Sequence, residues 1–169
     1  MKKHSGMRPQ DIVVLLKIAL IKENWLAKDL SKNLKISASE ISESLNRSAI
    51  AGLLSADKKI LMKKAFLEFL EYGLKFVFPQ KTGAISRGIP TAHSAPPLNH
   101  LVTADEIFVW TYSKGEYRGQ AIEPLYKTVP EISIKDEKLY ELLALTDALR
   151  IGKVREQKIA IEELKKRIL

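Results

Sequence analysis

Six polar side chains share one face of the segment ASEISESLNRSAIA (38–51): Ser39, Glu40, Ser42, Glu43, Asn46 and Arg47. Their types suit hydrogen bonding to base-pair edges in a DNA major groove. There a guanidinium forks onto guanine, an amide pairs with adenine, and a hydroxyl donates or accepts. Ser37 opens the same segment, and Lys28 and Lys35 precede it, where cations can hold phosphates. Much further along, Lys81, Arg87, Lys114 and Arg118 are additional candidates for phosphate contact.

Other chemistry is thinly represented. The imidazoles are His4, His93 and His100. A metal site can be drawn from His93 and His100 with Asp105 and Glu106, but the spacing fits no helical ligand pair, so no metal is expected. GAISRG (83–88) approaches a nucleophile elbow but has one residue too many between Gly83 and Ser86. Neither a P-loop nor a dinucleotide-binding glycine fingerprint is present, and Glu162–Glu163 lie on a charged, helix-like segment. The chain has no cysteine, which removes disulfides and thiol chemistry. Neither enzyme activity nor a cofactor is expected.

Asp147 and Arg150 in TDALRIGKVRE, with Arg155 beyond, form a separate constellation. One helical turn apart, Asp147 and Arg150 make an ion pair worth only tenths of a kcal/mol, roughly, if exposed. Buried against the middle of the chain, the same pair becomes an organising contact or a ligand site.

The elements that must position the polar face are two short helices and a tight turn, over 25–54. Leu26, Ala27, Leu30 and Leu34 give the first helix its apolar face, with Ala27 small enough for a close helix crossing. Ser37, followed three residues later by Glu40, is a capping box. Ile41, Leu45 and Ala49 point inward from the second helix. The order LAxxL, IS, SEIS, SL resembles the helix-turn-helix core of MarR-like winged-helix transcription regulators. That resemblance implies sequence-specific binding of double-stranded DNA, commonly as a homodimer. The blocks FVFPQKTGAISRGIPTAHSAPPL, EPLYKTVPE and LYELLALTDALRIGKVRE also look like those of a little-characterised group of small bacterial helix-turn-helix regulators. This second likeness covers most of 37–160.

Charge supports an anionic partner. The chain carries a formal +8, and residues 1–77 hold 14 Lys and Arg against 8 Asp and Glu. A 46% hydrophobic, 28% charged composition over 169 residues is that of a globular protein with a real core. The N-terminus has no apolar signal region and no run is long enough to span a membrane, so a cytoplasmic location without a membrane partner is expected.

The expected fold class is α+β and mostly α, in three regions: an N-terminal winged-helix-like helix-turn-helix domain (8–78), a loop-rich middle with a β-hairpin (79–135), and C-terminal helices (136–169). Residues 1–7 read as a basic tail, and Pro9 and Asp11 open a strongly apolar helix ending near Lys22. Residues 60–74 read as a helix closed by Gly73 in a left-handed cap. No wing is apparent between it and the preceding helix. KFVFP (75–79) reads as a strand, 80–100 as a long loop, and 106–126 as a hairpin around Gly115 with Lys114 and Arg118 at its tip. The last stretch reads as one helix or two, broken near Gly152. Its seam of Val154, Ile161, Leu164 and Ile168 is expected to pair two subunits or to fold back on 60–72. The other reading of the chain is an antitoxin-like or adaptor module that holds a protein partner.

Overall fold

The computed structural model describes residues 6–169, so most of the basic tail, and His4, lie outside the described residues. The fold is α+β and mostly helical. Helix α1 (Pro9–Ile21) starts with proline at its first position, and Asp11 accepts the Arg8 backbone N–H at 2.8 Å. A proline has no N–H to lose there and its φ is already helical. Helices α2 (Ala27–Leu34) and α3 (Ala38–Ile50) follow, joined through Lys35, Ile36 and Ser37. Lys35 takes a left-handed conformation (φ 53°), and the Ser31 hydroxyl donates to the Ile36 carbonyl at 2.6 Å, closing the turn over buried Ile36.

Leu30, Leu34, Ile41 and Leu45 are buried as their spacing predicts. Leu26 and Ala27 are not. Leu26 is the cap of α2 and half exposed, and Ala27 is exposed as well, so the apolar face of α2 begins only at Leu30.

After α3, Gly52 adopts φ +78°, a left-handed geometry that glycine takes without steric cost. The chain then makes a short antiparallel bridge, Leu54 to Leu61, with Ser55 N–H donating to Ile60 O and Met62 N–H to Leu53 O. The expected helix over 60–74 therefore begins later, as α4 (Lys63–Tyr72). Gly73 is not a left-handed cap: at φ −112° it passes directly into α5 (Leu74–Val77). KFVFP is thus largely helical rather than a strand. Burial of Leu74 and the edge-on contact of Phe78 with Phe69 (6.5 Å) outweigh its β propensity.

The long loop over 80–100 is also more ordered than expected. It contains β1 (Ile85–Pro90) and two short 3-10 turns, Ala92–Ser94 and Leu98–His100. With β2 (Phe108–Thr111) and β3 (Tyr117–Ala121), β1 closes a three-stranded barrel. The expected hairpin is absent. β2 and β3 run parallel, each antiparallel to β1, with Gly88 opposite both Thr111 and Tyr117.

Helices α6 (Val129–Lys135), α7 (Glu137–Ile151) and α8 (Val154–Ile168) complete the chain, with the break at Gly152. Residues 142–149 of α7 are buried on every side, which is expected of a helix surrounded by the rest of the molecule. A single apolar cluster runs from α1 to α8. Ile161, Leu164 and Ile168 belong to it, and Lys165 reaches Glu71 of α4 at 3.1 Å. The C-terminal seam is therefore covered within the protomer by folding back on α4 and α7. Only Val154 of that set is exposed. Seam-to-seam pairing of two subunits loses its basis.

Candidate nucleic-acid interface

The outer face of α3 is built by its cap and its inward stripe together. The Ser37 hydroxyl accepts the Glu40 N–H at 3.2 Å, fixing where the helix starts. Half of the capping box is realised, because the Glu40 side chain turns instead to Arg47 and Gln10. Ser39, Ser42 and Glu43 are exposed and Asn46 is half-buried, so these four stand together on one surface beside exposed Ser37.

Arg47 does not join them. It is 5% exposed, with Nε donating to Asp11 Oδ2 at 2.9 Å and Nη2 to Oδ1 at 2.8 Å. The same Nη2 donates to Glu40 Oε1 at 2.5 Å. Hydrogen bonding to Asp11, against the opposing effect of burial, pushes the guanidinium pKa further up. Burial alone would raise the Glu40 carboxyl, but Arg47 and Gln10 outweigh it and hold it below its ordinary value of 4.5. Arg47 and Glu40 are therefore structural links between α1 and α3, not candidate base readers. A fully buried Asp11 demands a counter-charge, and Arg47 supplies it.

Without Arg47 the open face of α3 carries no cation. Exposed lysines belong instead to the elements before and after it. Lys28 and Lys32 are exposed on α2. Lys35 is exposed too, but its Nζ already contacts the Glu131 carboxylate of α6. Lys58 and Lys59 occupy the tip of the bridge at 54–61, which the sequence conceals inside the polar run SADKK. The Ser55 hydroxyl donates to Asp57 Oδ1 at 2.5 Å, and the Lys59 N–H donates to Asp57 at 3.2 Å. Ile60 N–H donates to Ser55 Oγ at 3.0 Å. The signal for it in the sequence is this Ser-x-Asp turn between two leucines, buried Leu54 and half-buried Leu61.

A cleft of about 940 Å³ lies between the end of α1, the α1–α2 corner and this turn. Trp25, Leu45 and Leu61 line it, along with Lys22, Lys58 and Lys63.

The remaining candidates fall elsewhere. Lys81, Arg87, Lys114 and Arg118 are all exposed, wholly or in part, but they lie on or beside the β barrel rather than on α3. His93 is buried with Nε2 2.7 Å from the Glu106 carbonyl and its ring against Phe108, while His100 is exposed. Among the described residues no three His, Asp or Glu side chains converge as a metal site would require. Ser86 lies on β1 with its hydroxyl 2.9 Å from Thr111 Oγ1, so its partner is another hydroxyl rather than a base.

Asp147 and Arg150 form the organising contact that burial allows. Asp147 Oδ2 accepts Trp110 Nε1–H at 2.6 Å and the Thr91 hydroxyl at 2.8 Å, and Oδ1 accepts Arg150 Nη1 at 2.9 Å. Arg150 also donates to the carbonyls of Phe78 and Glu123. Burial pushes the Asp147 carboxyl up, against the pull of Arg150, Thr91 and Trp110. These bonds fasten the barrel to α7.

No family model, curated protein or solved structure matches the chain. Among the described residues no helix is long and apolar enough to cross a membrane.

Proposed function

We propose that the protein is a sequence-specific DNA-binding transcription regulator, with α3 as the helix that enters the major groove. The observation that carries this reading is the arrangement around α3. Exposed Ser39, Ser42 and Glu43 and half-buried Asn46 share α3, exposed Lys28 and Lys32 stand on α2 just before it, and exposed Lys58 and Lys59 stand on the turn just after it. Short polar groups suit base edges, and exposed lysines on the neighbouring elements suit the phosphate backbone. The turn at 54–61 comes next after α3 in the chain, the position in sequence that a wing takes in the MarR-like regulators that the sequence of α2 and α3 resembles. Such a regulator acts in the cytoplasm.

Pairing of two copies would place two α3 helices on successive half-sites. With the α8 seam covered, such pairing needs another surface, and Tyr72, Phe76 and Val77 offer exposed apolar groups. The same stretch favours the second reading, an adaptor that holds a protein partner.

The test is titration of the protein into the DNA upstream of its own gene at several salt concentrations. The expected result is an affinity that falls linearly, log against log, with salt. Absence of binding at low salt would overturn the proposal.

A further inference from the structure

Arg87 on β1 and Arg118 on β3 are directly opposed partners in an antiparallel pair. Side chains so placed leave the same face with Cβ atoms about 5 Å apart. Both are exposed, and among the described residues neither guanidinium makes an ion pair or hydrogen bond. Asp105, Glu106 and Glu116 belong to the same region, yet none of them is paired with either arginine. Like charges directly across a ladder destabilise a sheet.

The register is pinned by close backbone contacts. A Cβ at Gly88 would lie 1.8 Å from the Trp110 carbonyl oxygen, and one at Gly119 would lie 2.4 Å from that of Ile107. The strands meet too closely for any side chain at those positions, and each arginine immediately precedes one of them. Gly115 packs equally tightly, with a Cβ there 2.3 Å from Gly88 O, which seats the turn between β2 and β3 against β1. The closed barrel therefore fixes the backbone positions from which the two arginines leave one face. Paired guanidinium forks match the several acceptor oxygens of a phosphate group.

We propose that Arg87 and Arg118 form a binding fork for a phosphate ester, supplied by the backbone of the nucleic acid that α3 engages. The fork rests on the β register; only the source of its phosphate rests on the proposed function.

The test compares wild type with the Arg87→Gln/Arg118→Gln variant in two assays. The first is duplex binding across salt concentrations. The fork predicts weaker binding to all duplexes alike and a log–log salt slope shallower by about 1, for the one phosphate that the variant no longer neutralises. The second is titration with inorganic phosphate against chloride at equal ionic strength, following thermal stability and the arginine Nε–Hε resonances. Wild type should be stabilised by phosphate, with two shifted resonances, and the variant should not respond. Because both arginines are solvent-exposed, the variant should fold with Trp110 fluorescence unchanged. An unchanged duplex slope together with the phosphate response keeps the fork and assigns it a small free phosphate ester. No duplex binding by either protein would remove the proposed function while the phosphate assay still decides the fork. No difference between wild type and variant in either assay overturns it.

Discussion

The Arg47 guanidinium grips both oxygens of the Asp11 carboxylate, at 2.9 and 2.8 Å, across the contact between α3 and α1. Asp11 is fully buried and Arg47 nearly so. A bidentate pair in that setting fixes the roll of α3 about its axis, and so which residues its outer face presents. Removing one partner of such a pair leaves the other charge buried and alone.

Arg47→Ala and Asp11→Ala should each therefore lower stability by about 3–5 kcal/mol, while the double variant should cost much less than their sum. Urea unfolding of the three variants measures this. Additive losses would mean that the pair is not a unit.

Glu40 makes the same cluster sensitive to acid. Its carboxyl sits below its ordinary value of 4.5, so the ionised form contributes stability above that pH. The contribution is lost as pH falls through the lower folded-state value. Glu40→Gln should cost about 1 kcal/mol at neutral pH, and its deficit against wild type should close below pH 4.5. Melting temperatures from pH 7 to 3 provide the comparison, and a constant deficit would refute the assignment.

Asp147 anchors the barrel to α7 through Trp110, Thr91 and Arg150. Asp147→Ala strands an indole N–H and a largely buried guanidinium, so a loss of at least about 3 kcal/mol is expected. Trp110 emission should shift to the red as the barrel loosens, with Trp25→Phe used to remove the second fluorophore. Unchanged emission would show that the barrel is held in place without Asp147.

Ile161 and Leu164 are buried within the protomer. Ile161→Glu with Leu164→Glu should unfold the C-terminal helices, seen as lower ellipticity, rather than convert a dimer into a folded monomer. A folded monomer by light scattering would restore the seam as an interface between subunits.

Local signals are legible where a local force decides the outcome. Pro9, the Ser37 cap, the turn at Lys35 and the break at Gly152 all act within one or two turns of chain, and each falls where the sequence places it. Arg47 escapes such reasoning because helical periodicity counts a charged residue as outward, while its partner Asp11 lies on another helix. β1 is hidden by Gly88 and Pro90, residues that normally argue against a strand. In this barrel Gly88 is one of the positions with no room for a side chain, and Pro90 closes the strand. The hairpin expectation fails for a related reason: two β-prone runs around a glycine look alike whether they pair with each other or both with a third strand. On the candidate site, the serines and Asn46 are legible from their period. Lys58 and Lys59 are not, because a two-residue bridge leaves almost no alternating pattern.

The central claim, that α3 reads DNA while the lysines beside it hold the backbone, is tested most directly by fluorescence anisotropy on two labelled duplexes. One carries the DNA upstream of the gene and the other a scrambled sequence, each titrated with wild type, Asn46→Ala and Lys58→Gln/Lys59→Gln. Asn46→Ala should cost roughly 1–3 kcal/mol on the first duplex and little on the second. Lys58→Gln/Lys59→Gln should weaken both duplexes about equally and flatten the salt dependence. If Asn46→Ala leaves the preference between the two duplexes unchanged while binding persists, α3 is not the reading helix.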